Sequence, residues 1–399
     1  MTGTRGCDVL VIGAGIVGAA VAYFATRAGL SVTVVERGLP ASGTSSRCEG
    51  NLLVSDKELG PELDLTLHSL RIWREDLAEH AGDWEFQPKG GVVVASRESS
   101  LVSLRRVMAA QRAHGLDVAE VDAAGLAELE PHISPEAVGA AYYPQDAQVQ
   151  PVLAATGLLA LAEAGGARVL VNTPVTGMLR DGSRVVGVRT QAGDLAAGAV
   201  VNAGGTWGGQ IAALAGVDVP VLPRRGAVMV TEPLPPVIRH KVYAAEYVDN
   251  VGSSDAGLQA SPVVEGTPAG TVLIGSTRER VGFDRTPSMP GLRTLAANAV
   301  ALFPFLAQVR IMRHYLGFRP YCPDHLPVIG EDTRAPGLWH ACGHEGAGIG
   351  LSVGTGHLLA QALSGVATEV SLAPFAPARF GDGAPGATVD ALSAPLPES

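Results

Sequence analysis

Apolar runs broken by glycine organise the start of the chain. Residues 8–12 (DVLVI) read as a buried strand, 13–18 as a tight turn, 16–28 as an apolar helix stopped by Gly29, and 31–36 (SVTVVE) as a second strand. Two such strands joined through one helix predict a parallel βαβ unit, since parallel neighbours need a crossover. After a Gly/Ser loop (ASGTSSRCEGN), Leu63, Leu67, Leu70, Trp73 and Leu77 recur every three to four residues from Pro61, which predicts a helix packed on the sheet.

From Phe86 the pattern changes. FQPKGGVVVAS predicts a strand, Ser100 is read as capping a helix with Leu101, Leu104 and Met108 inward, and a short helix follows Asp122. Pro151 opens a helix ending at Gly165 and Gly166, a β-ribbon turns at Asp181-Gly182, and AVVNAGG (199–205) returns to the first sheet. Residues 220–310 alternate strand runs (GAVMVTE, TVLIGS) with one helical run (LRTLAANAVALF) and form most of a second lobe. The expected division is therefore a discontinuous cofactor domain at 1–85, 145–220 and 310–370, a substrate domain at 86–144 and 221–309, and a mobile Pro/Ala/Gly-rich tail at 371–399.

Composition narrows the class. With 47% hydrophobic residues in 399, the chain can bury a large core, and 50 glycines clustered beside Val, Ile and Ala suit nucleotide-binding turns. A net charge of −10 argues against nucleic acid as a partner. Cys7, Cys48, Cys322 and Cys342 lie far apart without CxxC spacing, so no metal is expected and a reduced, cytoplasmic setting is. The uncharged stretch 9–26 is punctuated by Gly13, Gly15 and Gly18 at nucleotide-fold spacing, so it is not read as a membrane span.

Those glycines carry chemistry. In Gly13-Ala14-Gly15-Ile16-Val17-Gly18 they permit the turn, the approach of a pyrophosphate and helix packing, while Glu36 closes the second strand, where a carboxylate binds ribose hydroxyls. This predicts a dinucleotide and leaves NAD and FAD both open.

Five segments in order settle the reading further: DVLVIGAGIVGAAVAYFATRAGLSVTVVER, GTSSRCEGN, VVNAGGTWGGQI, GFRPYCPDHLPVIG and ACGHEGAGIGLSVGTGHLLA. Together they resemble the D-amino-acid oxidase-like flavoproteins over nearly all of 8–370, with the CEGN loop and GHEGAGIG end similar to hydrogen cyanide synthase, opine oxidase and D-hydroxyproline dehydrogenase subunits. The resemblance implies an α/β fold, a Rossmann-like FAD-binding domain with an inserted α+β substrate domain. It implies non-covalent FAD, with Glu36 and Arg37 at the adenosine end and Val175 against the adenine. Thr44, Ser45 and Ser46 would line the pyrophosphate and ribityl path, and Cys48, Glu49, Gly50 and Asn51 would pass the flavin ring. Ala203, Gly204 and Trp207 would approach the dinucleotide, and His344, Gly346, Ala347, Gly348, Ile349 and Gly350 would present a helix N-terminus to the flavin edge where negative charge appears on reduction.

By the same resemblance, Arg319 of GFRP clamps a substrate carboxylate, a task suited to the paired donors of a guanidinium. His344 is a second candidate at the flavin edge, or a structural histidine. Sarcosine oxidase bonds its flavin through a cysteine seven residues before the Asp of its PD motif; Gly317 stands there in this chain, and Cys322 is expected to pack near the cofactor. Tyr243, Glu246 and Tyr247 lie on a segment that could cover the site and are kept outside it.

The implied reaction is hydride transfer from the carbon bearing the amine of a small amino acid or N-substituted amino acid, giving an imine that hydrolyses. Electrons would pass to oxygen or a redox partner, and the chain could form homo-oligomers or join partner subunits. Rival readings are an NAD-dependent Rossmann dehydrogenase and a non-catalytic or electron-transfer subunit of a heteromeric dehydrogenase.

Overall fold

The computed structural model describes residues 6–245 and 254–381. The first sheet is built on β1 (Cys7–Ile12), which pairs in parallel with β2 (Val32–Val35) and with β11 (Gly193–Asn202). Outward from these lie β8 (Arg168–Leu170), parallel to β2, and β18 (Leu338–Cys342), parallel to β11, with β17 (Val328–Glu331) antiparallel at the edge. The hairpin β9 (Val175–Asp181) and β10 (Arg184–Thr190) extends β11.

Period-two alternation sorts the strand side chains onto two faces. Val9, Val11 and Val34 meet Ala19, Ala20 and Ala22 of α1 (Ile16–Arg27), while Leu10, Ile12, Val35 and Val200 meet Ala212 of α6 (Gly208–Leu214). The small residues of α1 let α5 (Pro151–Ala164) and α8 (Gly348–Leu363) come close: a Cβ on Gly356 would lie 2.6 Å from the Ala20 carbonyl carbon.

The second sheet runs β16 (Ile311–Tyr321), β12 (Leu222–Thr231), β15 (Val272–Arg278), β14 (Gln259–Gly266), β13 (Lys241–Ala244), β4 (Gly91–Ala95), β6 (Gly139–Tyr143), β5 (Ala119–Asp122). Leu292, Leu295, Ala299 and Leu302 of α7 (Met289–Leu302) cover it together with Leu126 of α4 (Ala123–Leu129). The short pair β3 (Asn51–Leu52) and β7 (Ala147–Gln148) ties the CEGN loop to the chain entering α5.

Four details depart from the sequence reading. Strand β16 fell in the 310–370 part of the expected cofactor domain, yet its register with β12, from Leu222↔Tyr321 to Val230↔Arg313, makes it part of the second sheet. Helix α3 (Glu98–Ala113) starts before Ser100, because the chain turns at Arg97, whose carbonyl accepts from Leu101 N. Helix α2 (Pro61–Arg71) passes at Ile72 into a wider π turn over Ile72–Asp76 that buries Trp73; Leu65 takes the buried place and Leu67 only a half-buried one. Residues 371–381 are not a loose tail. Two short 3-10 turns bury Phe375 fully, and Arg379 Nε donates to Asp324 Oδ2 at 2.6 Å.

Candidate active site

A cleft of about 460 Å³ runs from the β1–α1 turn to the end of β16. At its nucleotide end, Gly13 has φ +106° and a Cβ there would stand 2.6 Å from Ala203 O, while Gly13 N donates to Val35 O. Glu36 ties the turn down, accepting from Ala14 N and Gly38 N, both at 2.9 Å. Helix α1 then opens into the cleft without an acidic residue in its first turn and without a side-chain cap from Gly15. Ser45 Oγ accepts from Ile16 N at 3.0 Å, so a hydroxyl stands beside that positive helix end.

The loop 43–51 follows. Thr44 and Thr206 hydroxyls both donate to Phe318 O, pinning it to β16, and the Cys48 thiol, pushed up to about 12 by burial, stays protonated and donates to Ser45 O. Trp207 lies between the Arg37 guanidinium, 3.8 Å from its ring centroid, and the Phe283 ring stacked at 5.4 Å.

At the other end Arg319 lies flat over Gly226, where a Cβ would meet its Nη1 at 2.2 Å. Its Nη1 donates to Thr277 O at 2.9 Å and its Nη2 to Ser276 Oγ at 2.8 Å. His344 is 3% exposed and burial pushes its pKa down to about 3, so the ring is neutral, with Nε2 at 3.1 Å from Thr355 Oγ1. Helix α8 begins beside it, again with no acidic residue in its first turn and no side-chain cap at Ala347.

Of the residues marked in the sequence, Gly13, Gly15, Ile16, Val17, Glu36, Arg37, Thr44, Ser45, Cys48, Glu49, Gly50, Asn51, Val175, Ala203, Gly204, Trp207, Arg319, His344, Gly346, Gly348 and Ile349 line this one cleft. The remainder stand behind its wall. Ala14 is buried in the turn, Gly18 packs on Gly13 O, and the Ser46 hydroxyl turns back to Gly43 O. Ala347 and Gly350 face a small neighbouring hollow, with Gly350 O accepting from Trp73 Nε1. Cys322 sits fully buried in the core with Val328 and Cys342 and does not line the cleft. Gly317 does, and a Cβ there would lie 2.5 Å from the Arg47 Cβ, so a side chain at the covalent-cysteine position would displace Arg47. Glu246 and Tyr247 lie outside the described residues, while Tyr243 is buried in contact with Ser55.

Arg47, Gly226, Arg285 and Phe318 also line the cleft and were not marked. Arg285 arrives on an irregular loop of the second lobe, near enough to disfavour the charge on Arg37. Arg47 and Phe318 fall inside the GTSSRCEGN and GFRP motifs and could have been marked with their neighbours, whereas Gly226 and Arg285 lie in no such motif.

The site suits FAD on its own chemistry. The α1 N-terminus and the neighbouring guanidinium groups of Arg37 and Arg285 fit a diphosphate, the α8 N-terminus stands at the opposite end of the cleft, glycines provide the space, and Asn51 Oδ1 is buried without a hydrogen-bond partner among the described residues. No helix among the described residues is long and apolar enough to cross a membrane.

The FAD dependent oxidoreductase (DAO) family matches residues 8–362. The chain is 30% identical to hydrogen cyanide synthase subunit HcnC of Pseudomonas aeruginosa, over 94% of this chain and 97% of that one. It is 32% identical to glycine oxidase of Geobacillus kaustophilus over 93% and 97%. A crystal structure of glycine oxidase from Geobacillus kaustophilus superposes with a TM-score of 0.84 at 30% identity, covering 94% of this chain and 99% of that chain.

Proposed function

Because the chain belongs to the FAD-dependent oxidoreductase family of the D-amino-acid oxidase type, we propose that it oxidises the α C–N bond of a small amino acid or N-substituted amino acid. Membership decides for FAD over NAD as the cofactor, and FAD, when bound, supplies the acceptor for a hydride. The protein's own part is to bind and orient. Arg319, braced by Thr277 O and Ser276 Oγ, holds the substrate carboxylate with its guanidinium charge, in the same cleft as the start of α8. Holding one end of a small molecule fixes where its α carbon lies, which is how positioning lowers the barrier. His344, neutral at physiological pH, offers shape and a hydrogen-bonded wall and carries no positive charge. The imine leaves the site to meet water, so no nucleophile is required of the chain.

The braced guanidinium at the end of the cofactor cleft is the observation that carries this reading. Its test is anaerobic bleaching of the flavin with glycine, sarcosine, D-alanine, both prolines, D-hydroxyproline and opines. Arg319→Ala should keep FAD and its visible spectrum while reduction by the best carboxylated amine falls on the order of 100-fold, the loss of charge-assisted hydrogen bonds. Unchanged reduction rates would remove Arg319 from the site.

The likeness to an HcnC subunit supports a second reading, in which the chain works inside a heteromeric dehydrogenase. Full turnover by the chain purified alone tells against it.

A further inference from the structure

The CEGN loop drives one buried carboxyl group, that of Glu49, into the cleft. Gly50 sits at φ +87°, where a Cβ would fall 1.9 Å from Val149 O, and its own carbonyl accepts from Val149 N at 3.1 Å, so the backbone on the far side of Glu49 is fixed. Glu49 itself is 6% exposed and lines the cleft. It reaches across to β15: the point where a Gly275 Cβ would stand is 1.9 Å from Glu49 Oε1 and 2.7 Å from Oε2. The next residue on that strand, Ser276, takes the hydrogen bond from Arg319 Nη2. The Glu49 carboxyl group and the Arg319 guanidinium therefore approach neighbouring positions of β15 and line the same cleft.

Glu49 Oε1 is buried with no hydrogen-bond partner among the described residues. Leaving such an oxygen without a donor is costly, and the nearest buried ammonium does not resolve it: Lys241 is in direct contact with the Glu265 carboxylate, both fully buried. Lys241, Arg319 and Arg278 oppose the rise that burial imposes on the Glu49 pKa. A ligand that fills this gap must bring an N–H donor next to the group that Arg319 holds. An α-amino acid carries a carboxylate and an amine on one carbon, which is that arrangement.

We propose that Glu49 is the contact for the substrate's amine, accepting an N–H from a primary or secondary amine whose carboxylate Arg319 holds, and that this pair selects amino acids over hydroxy acids and plain carboxylates. The proposal rests on the reading of Arg319 as the carboxylate grip. Glu49 thereby acts on the nitrogen end of the molecule, where the bond to be oxidised begins. A carboxylate kept only as counter-charge to Lys241 would affect stability and leave ligand choice alone.

The test uses the FAD-loaded protein and two inert, nearly isosteric probes, pyrrole-2-carboxylate, which has an N–H beside its carboxylate, and furan-2-carboxylate, which has none. Calorimetric titration of the wild type should show roughly tenfold tighter binding of the pyrrole, the worth of one hydrogen bond to a charged group. In Glu49→Ala that ratio should fall to about one, with furan-2-carboxylate binding nearly unchanged. Glu49→Gln, which keeps volume and one acceptor oxygen, should fall in between and guards against a folding failure of the alanine variant. A ratio that persists in both variants, no preference in the wild type, or no binding of either probe would overturn the proposal. Failure of the underlying reading looks different: Arg319→Ala would then bind both probes as tightly as wild type.

Discussion

A methyl group at position 18 would sit 1.9 Å from Gly13 O, inside the turn that brings α1 to the cleft. Gly18→Ala must therefore push the helix off the strand, a small-to-large cost of about 1–3 kcal/mol in a packed region. The expected result is protein with a lower melting temperature and sub-stoichiometric flavin; a full flavin complement at wild-type stability would contradict it. This glycine was legible because its partner is five residues away (18 − 13). Gly226 was not. Its need for a bare Cα comes from Arg319, which is brought over it by pairing of strands far apart in the chain. The same holds for Arg285, whose closeness to Arg37 arises from the meeting of two lobes and from no local pattern.

Among the elements, α8 gathers an acid-sensitive seam. His357 on it stacks with His68 of α2 at 5.3 Å, and His344 before it pairs with Thr355. Burial lowers all three, to about 4 for His68 and about 3 for His344. In the unfolded chain each would take up a proton near pH 6.5 that the fold refuses, so stability drains as pH falls below about 6.5 and the loss ends only near the folded value. For His344 that is about 1.4 kcal/mol per pH unit. Asp146, raised to about 7 by burial, has the opposite sign, gaining stability as pH falls from 7 toward 3.8. The histidine term is isolated by difference. His344→Asn should show a shallower decline in denaturant midpoint between pH 6.5 and 5 than wild type, and equal slopes would rule out the buried neutral imidazole. At this scale the helix and strand periodicities read well, as in the βαβ unit. Strand β16 did not, because GFRPYCPDH sits at the start of the run that leads back to the first sheet, and only the ladder with β12 reveals its allegiance.

For the whole molecule, the two lobes meet on an aromatic stack. Arg37 and Trp207 come from the nucleotide side and Phe283 from the other, where its ring also meets the edge of Phe318 at 5.3 Å. Phe283→Ala should loosen the cofactor without touching its nucleotide turn. Aromatic pairs of this type contribute about 0.5–1.5 kcal/mol beyond area, so FAD release measured by fluorescence on dilution should quicken several-fold; an unaltered release rate would mean the stack does not bear on retention. The two-lobed plan and its cofactor were readable because the turn, the loop and the returning helix each carry short motifs. The placing of Gly226 and Arg285 in the cleft was not, since both come from the second lobe without a local motif.

One consequence of the β12–β16 ladder concerns change over evolutionary time. Arg319 lies directly opposite Arg224 within the β12–β16 pairing, so its location is set by main-chain geometry and not by a flexible connection. If Arg319 grips the acid group as proposed, any descendant that keeps this ladder inherits the same anchor. New preferences must then be written into the walls around the ligand's other end, and a relative acting on molecules without an acid group would have to sacrifice the guanidinium first.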